Sequence, residues 1–199
     1  MAKERLKSPR SRLFVALDLP GPVRAGLEAW QAAEIVDPAL RPVQPAALHT
    51  TLVFLGWTPD SEIGAVAAIL GELSPDRVGI AFAPEPVGLP EKRRQKGLFA
   101  ISAESPRSEE LYAELERKLV AARLYKPEKR PFWPHVTVAR VRKEKGKKGR
   151  HRRVERQPGP LPADLLEPFD AVRVTLYRSA LRPTGAEYTP LAQVELPAS

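Results

Sequence analysis

Two strand-like segments constrain the fold of this chain more than any other feature. LHTTLVFLG (48–56) and FWPHVTVARV (132–141) are apolar runs that each carry a histidine two residues ahead of a threonine, and the histidines stand 86 positions apart. Residues i and i+2 of a β-strand project from one face. His49 and Thr51 therefore point one way and Thr50 and Leu52 the other, while His135 and Thr137 share a face backed by Val136 and Val138. One such pair means little, but two of the three histidines in the chain stand in this arrangement. Two related halves that face each other across a pseudo-twofold axis are the expected outcome.

The remaining segments fit that plan. RLFVALDLP (12–20) reads as a buried strand ending at Pro20, and GPVRAGLEAWQAAE after it has the spacing and early proline of a helix. LHTTLVFLG is followed by a helix over 61–73, with Ser61 in the N-cap position. RVGIAFAP (77–84) and GLFAISAE (97–104) form an expected hairpin, and 108–124 is the most strongly periodic helix. A last hairpin joins 169–181 to 186–196 through RPTG. The class is α+β with mostly antiparallel strands. With 199 residues, 43% of them apolar, a single domain over 1–199 is expected. Residues 142–160 are too charged and too rich in glycine and proline for the core, and are expected as a flexible basic loop.

Composition removes several chemistries. The chain has no cysteine, so disulfides, thiolate nucleophiles and cysteine-held metals are excluded. It has no apolar run long enough to span a membrane, and its first residues lack the apolar stretch of a secretory signal. A cytoplasmic protein, without membrane contact and monomeric, is the expectation. Thirty-two Lys and Arg against 24 Asp and Glu give a net charge of +8, clustered at 3–12, 92–96 and 140–156. Such a field attracts polyanions, RNA first among them.

Two imidazoles and two hydroxyls suit the cleavage of a phosphodiester. One neutral histidine takes a proton from the nucleophile, a protonated one gives a proton to the leaving oxygen, and hydroxyls bind the non-bridging oxygens. Arg140, five residues after His135, would add a forked cation for phosphate. Strict alternation turns residue 140 away from His135, so Arg140 reaches the phosphate only if a bulge or the strand end re-aims it. Neither strand supplies a carboxylate or a further histidine for a metal, and no cofactor is expected.

LHTTLVFLG and PHVTVAR resemble the two signatures of the two-histidine phosphoesterases, specifically the LigT-like RNA 2′,3′-cyclic phosphodiesterases, also described as 2′-5′ RNA ligases. The likeness extends to RLFVALDLP and to YRSALRPTGAEYTPLAQVEL, and so covers nearly the whole chain in order. It implies a two-lobed, duplicated α+β domain whose antiparallel sheets line a central cleft, with helices outside, and a metal-independent activity. It implies catalytic roles for His49, as acid, and His135, as base, with Thr51, Thr137 and Arg140 on the phosphate. Phe54, the aromatic after the first motif, is implied as a stacking partner for base or ribose, against a plain core role. Val53, where many relatives carry a basic or polar residue, and the long basic stretch 142–156 depart from the family pattern.

The expected function is hydrolysis of RNA 2′,3′-cyclic phosphate ends to 2′-phosphomonoesters, with 2′-5′ ligation as its reverse. Alternatives are a phosphodiesterase acting on 2′-5′ oligonucleotides or small cyclic nucleotides, and a non-catalytic RNA-binding protein whose basic patches do the work.

Overall fold

The apolar runs assemble into one nine-stranded antiparallel sheet, which a computed structural model describes over residues 9–73, 76–91, 95–146, 150–182 and 185–197. In chain order the strands are β1 (Arg10–Asp18), β2 (Leu40–Pro42), β3 (His49–Pro59), β4 (Gly79–Leu89), β5 (Leu98–Glu104), β6 (His135–Val141), β7 (Phe169–Asp170), β8 (Arg173–Arg182) and β9 (Gly185–Glu195). The helices are α1 (Gly21–Glu34), α2 (Ile63–Gly71) and α3 (Pro106–Ala121).

The strand order, β7-β4-β5-β6-β3-β1-β8-β9, divides into two groups of four that meet where β6 lies beside β3. The two expected halves are thus joined edge to edge in a continuous sheet, and each contributes its His-x-Thr strand to the junction. Short β2, absent from the sequence reading, pairs with the far end of β6, Arg41 opposite Arg140. Both expected hairpins form, β4 with β5 and β8 with β9.

Each helix covers the sheet with a stripe its sequence spells out. Leu27, Trp30 and Gln31 of α1 and Leu111, Leu115 and Leu119 of α3 recur at helical spacing and are buried. In α2, Val66, Ile69 and Leu70 are buried. The expected Ser61 cap is not made: a short 3-10 turn over Asp60–Glu62 leads into α2, and no side chain caps it. Gly26 is required where α1 meets the Ala163–Leu165 turn, because a Cβ there would lie 2.8 Å from the Leu165 side chain.

The basic stretch 142–160 is anchored at several points. Arg142 N–H donates to Ala39 O, Arg152 N–H to Arg142 O, and Glu144 N–H to Arg150 O, which makes a small hairpin. Beyond it, Asp37 Oδ2 accepts from the Glu155 and Arg156 amides and Glu34 accepts from Gly159. Burial alone would raise the Asp37 carboxyl, but these amides and that of Ala39 prevail and hold it below its ordinary range. Residues 3–8, 92–94, 147–149 and 183–184, which include parts of the basic clusters and of the final turn, lie outside the described residues.

Candidate active site

One register pair joins β3 to β6: Thr50 opposite Val136, both fully buried on the core face. In an antiparallel pair the flanking positions then oppose each other crosswise. His49 lies across from Thr137 and Thr51 across from His135, on the face away from Thr50 and Val136. Each histidine is thus in register with the other strand's threonine.

The two strands share a second feature that alternation conceals. Along β3 the burial from His49 to Phe54 is half-buried, buried, half-buried, buried, buried, exposed, and His135 to Arg140 on β6 repeats it. Both strands carry an extra residue after the threonine: Leu52 in the register with β1 and Val138 in the register with β5. A bulge advances the following side chains by one face. Arg140 is therefore re-aimed into the cleft, as the parity argument required, and Phe54 occupies the equivalent place on β3. At 38% exposure Phe54 is not a core residue, and the Arg12 guanidinium sits 4.8 Å from its ring centroid.

The β6 bulge has its own support. The Val138 carbonyl accepts from the Val43 amide at 2.9 Å and from Gln31 Nε2 at 2.7 Å. Gln31 Nε2 also donates to Val43 O. A buried amide on α1 thus satisfies backbone oxygens beside the bulge.

The imidazoles are held in related ways but sit in different surroundings. His135 Nδ1 donates to Trp133 O at 2.8 Å, and the Trp133 indole stacks on the ring at 4.2 Å. His49 bonds the carbonyl of Ala47, also two residues upstream, and its Nε2 lies 3.1 Å from Thr51 Oγ1. Phe14 stacks on His49 at 4.9 Å and Tyr188 meets it edge-on at 5.3 Å. Tyr177 stacks behind Phe14 and is fixed by its bond to Asp18.

Burial lowers the His49 pKa from its ordinary value to about 4, with the Ala47 bond opposing and the charges of His135 and Arg140 assisting. His135 is also lowered, chiefly by burial, with the Trp133 bond opposing and Arg130 assisting. The Nε2 atom of His49 is turned toward the Thr51 hydroxyl, and both side chains line the cleft.

All six residues singled out from sequence, His49, Thr51, Phe54, His135, Thr137 and Arg140, line one cavity of about 720 Å³. Five arginines line it too, at 12, 41, 130, 140 and 182, against one carboxylate among the described residues, Glu128. Glu128 is paired with Arg130. The cavity is therefore built for an anion. Sequence reasoning missed Trp133, Tyr188, Phe14, Arg12 and Arg41. Only Trp133 carried a local signal, being the residue whose carbonyl and ring sit two positions before His135.

Among the described residues no group of three or more His, Asp or Glu could hold a metal ion, and no helix is long and apolar enough to cross a membrane.

No family model matches the chain. Curated relatives do. The chain is 33% identical over 198 residues to an RNA 2′,3′-cyclic phosphodiesterase of Thermus thermophilus, covering 93% of this chain and 90% of the relative. It is 25% identical over 177 residues to the RNA 2′,3′-cyclic phosphodiesterase of Methanocaldococcus jannaschii, covering 89% and 96%. Among solved structures, a Thermus thermophilus protein superposes with a TM-score of 0.74 at 28% identity, covering 94% of this chain and 98% of that one. Escherichia coli LigT complexed with 3′-AMP superposes with a TM-score of 0.73 at 25% identity, covering 94% and 99%.

Proposed function

The chain belongs to the LigT-like RNA 2′,3′-cyclic phosphodiesterases, and from that premise we propose that it opens RNA cyclic phosphate ends to 2′-phosphomonoesters by a two-histidine, metal-independent reaction. The observation that carries the mechanism is the crosswise placement of two imidazoles and two hydroxyls at the β3–β6 junction, under five arginines.

The terminal phosphate binds between Thr51 and Thr137, with Arg140 on its non-bridging oxygens. A water attacks phosphorus and loses a proton to one imidazole as the P–O3′ bond breaks. The other imidazole delivers a proton to O3′, which leaves as the hydroxyl, and the phosphate stays on O2′. His49 is the harder of the two to protonate, so we assign it the base and His135 the acid. This reverses the order implied by the resemblance. The reversal follows from the aromatic shell of Phe14 and Tyr188 around His49.

With a 5′-hydroxyl of a second RNA end in place of water, the same groups give 2′-5′ ligation: one imidazole takes the hydroxyl proton, O5′ bonds phosphorus as the P–O3′ bond breaks, and the other imidazole protonates O3′. The reading keeps the enzyme cytoplasmic and monomeric, and light scattering of the purified protein tests the second point.

The test is incubation with a short RNA bearing a 2′,3′-cyclic phosphate in the presence of EDTA. A 2′-phosphate product, lost in His49→Ala and His135→Ala, is the expected result. An intact cyclic end with folded protein overturns the reading, and activity that EDTA abolishes and a metal restores overturns the metal-independent step.

A further inference from the structure

Next to the catalytic cleft lies a second cavity of about 380 Å³, lined by Arg41, Arg140, Arg142, Lys143, His151 and Gly97 among others. It shares Arg41 and Arg140 with the cleft, so the pair forms the divide between the two spaces. Among the described residues no carboxylate lines it. Its charge among those residues is therefore wholly positive.

The arrangement holds its cations together against their repulsion. Arg41 and Arg140 are directly opposed in the β2–β6 register. Like charges in that position are unfavourable to a sheet unless something of opposite sign lies between them. Arg142 and Lys143 follow on the same chain, and the hairpin carrying them is fixed by the Ala39, Arg142 and Arg150 backbone bonds. His151 pairs with Lys143 across that hairpin, and its ring comes so close to Gly97 that a Cβ there would lie 3.3 Å from it. Arg142 Nε donates to Leu40 O, which orients its guanidinium at the rim.

We infer that this second cavity is a phosphate subsite for the phosphodiester immediately 5′ of the terminal cyclic phosphate, so that the enzyme selects an RNA chain over a free cyclic nucleotide. Arg140 and Arg41 then sit between two successive phosphates, one in the cleft and one beside Arg142, Lys143 and His151. The inference rests on the RNA-end reading above and deepens it. The part of the basic stretch nearest the cleft acquires a defined task, reading backbone charge rather than base.

The experiment compares a nucleoside 2′,3′-cyclic phosphate, which has no 5′ phosphodiester, with a trinucleotide ending in the same nucleoside and cyclic phosphate. The wild-type KM should be about tenfold lower for the trinucleotide, the scale of one charge-assisted phosphate contact. Lys143→Glu and, separately, Arg142→Glu should abolish that advantage while leaving kcat on both substrates and KM for the nucleoside substrate unchanged. Equal KM values in the wild type, or variants that leave the trinucleotide KM in place or shift both substrates alike, overturn the subsite. Equilibrium binding of a trinucleotide carrying a terminal 2′-phosphate gives a readout that needs no turnover. Absence of turnover with binding that Lys143→Glu weakens overturns the activity and retains the subsite; turnover with an insensitive KM does the opposite.

Discussion

The two His-x-Thr strands are built to one local plan and placed in two different environments. Both expose histidine and threonine on one face, bulge after the threonine, and send the residue five positions beyond the histidine into the cleft. On β3 that residue is Phe54, and the imidazole is enclosed by Phe14 and Tyr188. On β6 it is Arg140, and the imidazole lies under a single indole, Trp133. On equal scaffolds, burial among aromatic rings presses His49 toward neutrality, while β6 sets an arginine in the cleft, where in the proposed function it meets the phosphate charge. A pair of identical groups needs such a difference before it can divide acid from base.

The largest test removes each imidazole. His49→Ala and His135→Ala should each lower kcat by about 10³-fold or more. On a substrate whose 3′ leaving atom is sulfur, which departs without a proton, His135→Ala should recover most of its loss and His49→Ala none. Recovery by His49→Ala instead would exchange the two roles.

Next comes the dependence of stability on pH. The folded His49 binds its proton less readily than the unfolded chain, so its contribution is intact above pH 6.5 and is lost as pH falls toward 4. A shift from 6.5 to about 4 corresponds to roughly 3 kcal/mol. Urea unfolding at about pH 7 and about pH 4.5 should show a loss of that order, and His49→Gln should flatten it. His135 adds a smaller loss in the same direction.

The same shifts place the pH optimum. On the proposed assignment the productive free enzyme carries a proton on His135 and none on His49, so kcat/KM should peak between about 4 and a value below the ordinary 6.5. Bound phosphate raises both groups, and the optimum of kcat should lie at higher pH. Coincident optima would show that the phosphate does not sit between the imidazoles.

Smaller effects separate the fifth positions. Arg140→Ala should cost about 10- to 100-fold in kcat/KM through the lost phosphate clamp, and Phe54→Ala less than about tenfold, chiefly in KM. Gln31→Leu, which removes an amide from the Val138 carbonyl, should reproduce part of the Arg140 loss and leave the His135 titration in place. An NMR titration of His135 alongside the kinetics distinguishes a displaced arginine from a damaged strand.

The histidines, the threonines and the order of the longer strands and the helices were legible because they are local, whereas β2 and β7, of three and two residues, were not. A two-residue repeat sets which side chains share a face, and a 3.6-residue repeat sets the buried stripes of α1 and α3. The sequence alone therefore determined that two imidazoles and two hydroxyls would stand on two apolar strands. The crosswise pairing was decided by tertiary structure, since register depends on which residue of another strand lies opposite. So was the direction of Arg140: a bulge exists only between paired strands, and this one leans on Gln31, more than a hundred residues away in the chain. Proton affinity was likewise beyond the sequence, because it depends on what covers a ring, and His49 is covered by Phe14 and Tyr188 from opposite ends of the chain.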